Sequence, residues 1–296
     1  MAKVVVHPEV KAALRDGRPV VAMETAVLTH GLPRSRLLGG PPSYVADDFD
    51  PERPTNLATV RLMGARVLDA GATPAVVAVI DGELRIGLDD PELEQLAIND
   101  EAAKASVGNL ASIMAAGRSA GTTVSATLLA CGLAPGGPIR VFATGGIGGV
   151  HLEWTDRPDI SADLRQLAAT PTCVVCAGAK SVLDLPATVE AMETLGVPVV
   201  GYRTDGFPQF HSAGNDSIAC TQRVDDAAEA AALCRTQWEV LRRREGVLLA
   251  QNPPAEDAMP IEEIEIAVER AEREADHQEI SGRARTPFLL ERLTTI

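Results

Sequence analysis

The chain predicts an α/β fold around a mixed, mostly parallel sheet, and three observations point there. Short apolar runs alternate with stretches of helical period, the pattern of a parallel sheet with helices on both faces. Asp81-Gly82 joins two apolar runs as a two-residue hairpin turn does, which adds one antiparallel pair. The 296 residues are 46% hydrophobic but only 3% aromatic, so Val, Leu, Ile and Ala must build most of the core. That length is ample for a large core, and a single α/β domain over 1–296 is expected.

The elements follow in order. Residues 19–23 form an apolar strand that stops at Glu24. Residues 75–80 are the next strand, and 84–88 return from the hairpin. Strands are further expected at 139–143, 172–177, 197–202 and 247–251. Helical stretches fall between them at 57–70, 109–117, 124–131, 162–168, 186–195 and 225–242. Residues 34–55 carry four prolines and paired glycines without a period, so they read as a loop insertion. The segment at 255–296 is acidic and helical, with Ile261, Ile264, Val268 and Ala271 at helical spacing as a packing stripe. Thr286-Pro287 has the form of a cap followed by Pro at the first helical position.

Lys plus Arg number 27 and Asp plus Glu 41, a net charge of −14. Such a chain has no general attraction for polyphosphate or anionic lipid. A nucleotide substrate should therefore be a monomer, with no nucleic acid polymer and no membrane as partner. No apolar stretch reaches bilayer length and residues 1–20 lack a signal-peptide pattern, so a cytoplasmic location is expected. Cys173 and Cys176 are three apart on an expected strand and point to opposite faces, which suits neither zinc nor a redox pair. They read as small buried hydrophobes, and five cysteines argue against a disulfide framework.

The segment from Cys173 to Asp184 carries the strongest chemical signal. A run buried on both faces ends in small residues and delivers Lys180 at the strand mouth, where open α/β sheets place their chemistry. An amine held against apolar neighbours loses hydration of its charged form, so its pKa falls and it can attack a carbonyl or a sugar C1′ to form an imine. A surface lysine starting a helix fits the same residues taken alone.

Four other segments add candidates. From Val141 to His151 a strand runs into four glycines within five residues, a loop able to cradle phosphate or carboxylate on its N–H groups. A tight turn with no ligand fits equally, and His151 is either a phosphate donor or structural. Asp159-Ile-Ser161-Ala-Asp163 in extended form would line one surface with two carboxylates and a hydroxyl, an oxygen set suited to Mg²⁺ or Mn²⁺. Capping of the following helix by Ser161 or Asp159 is the alternative. Glu24, at a strand mouth beside apolar residues and followed by His30-Gly31, could act as a general acid or be a solvated loop residue. Lys104 reads as a substrate anchor or a surface charge, and residues 202–210 bear the aromatics to wall a pocket.

Together these segments resemble the pseudouridine-5′-phosphate glycosidase family, also called indigoidine synthase A-like proteins. The resemblance rests on Glu24-Thr25 with His30-Gly31-Leu-Pro33, on Gly71 to Ala75 and Ile80-Asp-Gly82, and on Gly121-Thr-Thr-Val124. It continues through Phe142 to His151, Asp159 to Leu164, Ala177-Gly-Ala-Lys-Ser181, Gly201-Tyr202 and Asn252-Pro253. It implies a three-layer α/β/α sandwich, a homotrimer and one divalent cation per subunit, typically Mn²⁺. It assigns Lys180 as the nucleophile toward ribose C1′, Glu24 as the proton donor and Asp159 as the metal ligand. Ser161, Ala162, Asp163, Lys104 and Val124 match substrate-binding positions, and Thr144 and His151 match the phosphate region.

The implied activity is reversible cleavage of the carbon–carbon bond between uracil and ribose 5-phosphate. That bond has no heteroatom leaving group, so two-carboxylate glycosidase logic does not apply. Ring opening by an acid and capture of C1′ by a lysine provides the route. Three departures bear on recognition of the substrate. Lys104-Ala-Ser-Val-Gly108 replaces a Lys-Val-Ser-Arg-Arg-like stretch, residues 34–55 are inserted, and the chain stops before a phosphate-binding Asn helix. They leave open a C-glycosynthase acting on another heterocycle or aromatic, a non-phosphorylated C-nucleoside substrate, or a non-catalytic relic subunit.

Overall fold

A computed structural model describes residues 3–37, 49–152, 154–156, 158–280 and 285–293. The chain forms two compact units, Met1–Ala143 and Thr144–Ile296. Both are α/β, and their strands are mostly parallel. No helix among the described residues is long and apolar enough to cross a membrane.

In the first unit the elements are β1 (Val4–Val6), α1 (Pro8–Arg15), β2 (Val20–Met23), a π-helical turn (Val27–Gly31), α2 (Thr55–Asp69), β3 (Thr73–Ile80), β4 (Glu83–Ile86) and α3 (Asp90–Ile98). They continue with β5 (Ala103–Ala105), α4 (Leu110–Ala115), β6 (Ala120–Thr122), α5 (Val124–Gly132) and β7 (Val141–Ala143). The strand order is β1-β4-β3-β2-β7, with β6 on β3 and β5 on β6. β3 is the spine. Its residues from Ala75 to Ile80 are all buried, so both of its faces are covered. Val76, Ala78 and Ile80 pack with Leu57 and Val60 of α2 and with Leu93 and Leu96 of α3. Asp81 (φ 48°) and Gly82 (φ 79°) make the expected tight turn, and β4 returns antiparallel with Val79 opposite Leu84.

The edge of β3 changes partner midway. β2 runs parallel to it as far as Met23 opposite Val76. Beyond that point β6 takes over antiparallel, with Ala78 opposite Gly121. Glu24 is the first residue after β2, at this handover.

The second unit contains α6 (Ala162–Leu167), β8 (Cys173–Cys176), α7 (Leu185–Thr194), β9 (Val199–Tyr202), β10 (Gln222–Val224), α8 (Ala227–Arg235), a π-helical turn (Thr236–Val240), β11 (Val247–Gln251), α9 (Ile261–His277) and α10 (Arg285–Leu293). Its strands order as β8-β11-β9-β10, all parallel. Cys173 and Cys176 are buried and all five cysteines are free thiols. Burial pushes the Cys176 thiol up to about 12, as expected of an inert core residue. The α9 stripe buries Ile264, Val268 and Ala271, while Ile261 is only half-buried.

Most of the expected strands and helices are present with small shifts at their ends. β1, α1, α3, β5, β6 and β10 were not anticipated. Residues 38–48 of the loop insertion lie outside what is described; Thr286 and Pro287 are inside α10, which already includes Arg285, so Thr286 is not the cap expected of it.

Candidate functional site

In the first unit a lattice of buried threonines fixes the chain around Glu24. Thr25 donates from Oγ1 to the Val77 carbonyl at 2.6 Å, and Thr122 donates to the same carbonyl at 2.6 Å. The Thr122 N–H donates to Thr25 Oγ1 at 3.0 Å, and Thr127 donates to Thr122 Oγ1 at 3.0 Å. All three threonines are wholly buried. The Val77 carbonyl thus accepts two hydroxyls where the β3 edge changes partner, and an otherwise costly break in the ladder is hydrogen-bonded. Glu24 is itself only 9% exposed.

The chain then folds back through the π-helical turn. Thr29 donates to the Thr25 carbonyl at 3.1 Å and sits 2.7 Å from His30 Nδ1. Gly121 makes the close approach possible, since a Cβ there would collide with Thr29 Oγ1 and lie 2.6 Å from the Thr25 carbonyl oxygen. Burial pushes the His30 pKa down, and the positive charges of Lys104 and Arg34 add to that. Lys104 is on β5 opposite Gly121. Val124 opens α5 directly after β6, with its side chain buried. β6 is therefore the common neighbour of Glu24, Lys104 and Val124. An apolar groove of about 650 Å³ lies elsewhere in this unit, along Val21, Met23, Met63 and Val67, and carries none of these residues.

In the second unit the glycine loop is knitted into its surroundings. The N–H groups of Thr144, Ile147, Gly148 and Val150 donate to the Val175 carbonyl, the Gly178 carbonyl, Asp163 Oδ2 and Thr188 Oγ1 at 3.0, 3.0, 2.9 and 2.9 Å. Each of these donors has an acceptor within the protein. A Cβ on Gly148 would collide with Ser161 Oγ, and one on Gly149 with Thr188 Oγ1, so the glycines admit side chains of the protein itself. Lys180 lies against this loop and is half-buried. Its N–H donates to the Ile147 carbonyl at 3.1 Å.

Asp159, Ser161 and Asp163 do not line one extended face. Val150 and Ile160 form an antiparallel bridge, and the His151 N–H donates to the Asp159 carbonyl at 3.0 Å. Ser161 ends the extended stretch because it caps α6, accepting from the Asp163 N–H at 3.2 Å. Ala162 and Asp163 are then helical, and the buried Asp163 carboxylate turns to the Gly148 N–H. His151 Nε2 is 4.0 Å from Asp159 Oδ2. Burial pushes the His151 pKa down; Asp159 opposes this, and Arg285 and Lys180 reinforce it.

Thr144, His151, Asp159, Ser161, Asp163 and Lys180 are thus gathered on or beside one loop. Among the described residues, no group of three or more His, Cys, Asp or Glu side chains could hold a metal. Asp163 and Ser161 are committed to backbone N–H groups, while Asp159 is 45% exposed. One accessible carboxylate fits a hard cation that keeps most of its water ligands. Sequence reasoning passed over Ser181 and His211, which hydrogen-bond beside Lys180. The aromatic-bearing segment at 202–210 was the available signal, and it stops one residue short of His211.

Residues 51–296 match the family model described as indigoidine synthase A like protein. A pseudouridine-5′-phosphate glycosidase of Caldanaerobacter subterraneus subsp. tengcongensis is 44% identical, over 96% of this chain and 85% of that protein. One from Methylobacterium nodulans is 46% identical, over 97% of this chain and 78% of its own length. Among solved structures, prealnumycin C-glycosynthase in complex with ribulose 5-phosphate is 34% identical with a TM-score of 0.82, over 99% of this chain and 87% of that one. An indigoidine synthase A-like protein from Thermotoga maritima is 29% identical with a TM-score of 0.79, over 100% and 87%.

Proposed function

The chain belongs to the indigoidine synthase A-like protein family, and from that premise we propose that it is a pseudouridine-5′-phosphate glycosidase. It cleaves the carbon–carbon bond between uracil and ribose 5-phosphate with uptake of one water, and forms the same bond in reverse. The observation that carries the reading to named residues is Lys180, half-buried after β8 with its main chain tied to the glycine loop.

Glu24 protonates the ribose ring oxygen as the ring opens. The Lys180 amine takes C1′ as the bond from C1′ to the ring oxygen breaks, giving a ring-opened amine adduct that still carries uracil. The bond from C1′ to uracil then breaks with its electrons going to the base, which takes a proton at carbon, while the Lys180 nitrogen lone pair forms the imine, and water releases ribose 5-phosphate from Lys180. Thr144 and His151 bind phosphate, Lys104 and Val124 contact the sugar phosphate, and Ser161, Ala162 and Asp163 shape the base side. Asp159 holds a divalent cation, Mn²⁺ or Mg²⁺, which supplies a positive centre for orienting an oxygen of the substrate. The active form is a cytoplasmic homotrimer.

Incubation with pseudouridine 5′-phosphate and Mn²⁺ is expected to release uracil, and pseudouridine alone is expected to release none. Equal release from both would remove the phosphate requirement. No release from either, with product formed from ribose 5-phosphate and another acceptor, would replace the glycosidase with a C-glycosynthase.

A further inference from the structure

Lys180 is held on both sides by its own main chain. Its N–H donates to the Ile147 carbonyl at 3.1 Å, and its carbonyl accepts from the Leu183 N–H at 3.1 Å. The next side chain, Ser181, supplies a third fixed point. Its hydroxyl lies 2.6 Å from the Gln209 carbonyl oxygen and 3.2 Å from His211 Nδ1. A hydroxyl has one proton and a carbonyl can only accept, so the proton goes to Gln209. Ser181 Oγ must then accept, and His211 Nδ1 carries the hydrogen that it receives. This selects one neutral tautomer, with the lone pair on Nε2. Burial pushes the His211 pKa below its ordinary value, which keeps the ring neutral at neutral pH.

The segment around His211 is laid closely over the lysine turn. Gly178 and Gln209 form an antiparallel bridge, and the Phe210 N–H donates to the Ala177 carbonyl at 2.8 Å. A Cβ on Gly178 would collide with the Pro208 carbonyl oxygen, and one on Gly146 with the Phe210 ring. Phe210 adopts a left-handed conformation (φ 67°), and its ring meets the His211 ring edge-on with centroids 4.6 Å apart. A non-glycine residue in that region persists only where its surroundings over-determine it. Adjacent residues therefore brace the two halves of the site: Phe210 the glycine loop, and His211 the lysine turn.

We propose that His211 is a positioning residue for Lys180, donating from Nδ1 to Ser181 so that the turn bearing the amine keeps one orientation through imine formation. This role rests on the lysine-imine reading above. His211→Phe keeps a ring against Phe210 and removes the donor, whereas His211→Asn keeps an N–H near the Nδ1 position. With the full chain and pseudouridine 5′-phosphate, His211→Phe is expected to lower kcat between about 10- and 100-fold, as small misplacements of reacting groups do, with KM little changed. Borohydride trapping of ribose 5-phosphate on Lys180 should slow by the same factor. His211→Asn should recover most of both rates. Ser181→Ala deletes the acceptor without touching the ring, and should reproduce the loss if His211→Phe fails to fold. Unchanged kcat and trapping in His211→Phe overturn the role, as does a His211→Asn enzyme as slow as His211→Phe. Uracil release by wild type with no adduct at Lys180 overturns the imine reading and this role together, whereas a wild-type adduct with unaffected variants overturns this role alone.

Discussion

The ends of β2 and β8 each deliver one ionisable side chain at the mouth of a buried strand, Glu24 in the first unit and Lys180 in the second. They are held in place by different means. Around Glu24 the work is done by side-chain hydroxyls: Thr25, Thr122 and Thr127 satisfy one another and the Val77 carbonyl in full burial. Around Lys180 it is done by backbone N–H groups of the glycine loop and the lysine turn, paired to carbonyls and to the Asp163 and Thr188 side chains, with glycines admitting neighbours. The first mouth should therefore be sensitive to atoms removed, and the second to atoms added.

Replacing the delivered groups themselves gives the largest expected effects. Lys180→Ala should lower kcat/KM by roughly 10⁴-fold or more, because a nucleophile has no substitute in its own covalent step. Glu24→Gln should cost about 10²- to 10⁴-fold, the range for a general acid. Uracil release from pseudouridine 5′-phosphate measures both. A Lys180→Ala enzyme within about tenfold of wild-type kcat/KM would remove the covalent step from the mechanism.

The supports come next. Gly178→Ala adds a methyl against the Pro208 carbonyl oxygen at φ 83°. It should destabilise the fold by on the order of 3 kcal/mol, combining overpacking with backbone strain. Thr122→Val deletes a hydroxyl and leaves Thr127 Oγ1 without its acceptor, at a cost of about 1 to 3 kcal/mol. Thermal or urea unfolding reads both. The contrast sharpens if Gly121→Ala is compared, because that glycine belongs to the hydroxyl-built mouth yet meets the Thr25 carbonyl at 2.6 Å. A cost as large as that of Gly178→Ala would show that added atoms are no better tolerated around Glu24.

Legibility in the sequence followed the same divide. β3, its Asp81-Gly82 turn and β4 were readable because apolar runs and turn chemistry agree locally. β8 and Lys180 were readable because a continuous apolar run ends in Gly and a single lysine. β5, β6 and β10 are three residues each, Ala-Lys-Ala, Ala-Gly-Thr and Gln-Arg-Val, and owe their state to tertiary pairing rather than propensity. α3 was missed although its signal stood in the sequence: Asp89 and Glu92 form a reciprocal capping box with Pro at the helix start. At Asp159 to Asp163 two local rules competed, alternation along a strand and capping of a helix, and the cap won at Ser161. The hydroxyl lattice was invisible because Thr25, Thr122 and Thr127 meet only when β6 replaces β2 on the edge of β3.

The smallest effects belong to the histidines. The pKa values of His30, His151 and His211 all lie below the ordinary 6.5, each chiefly through burial. A depressed value means that the folded chain binds fewer protons than the unfolded chain over the interval between the two. Stability then has a positive slope with pH in that interval, is full above the ordinary histidine value, and is lost as pH falls through the folded-state value. Unfolding midpoints from about pH 8 to about pH 5.5 should trace that loss. Lys180 and Arg285 both push His151 down, so Lys180→Ala should let its value rise and make the acid loss shallower. Asp159→Asn removes the group that opposes them and should make the loss steeper. Neither substitution should alter the share contributed by His30, whose depression comes from burial, Lys104 and Arg34. Identical pH–stability curves for wild type and Lys180→Ala would mean that the lysine charge does not reach His151, and the glycine loop would no longer tie those two side chains into one electrostatic site.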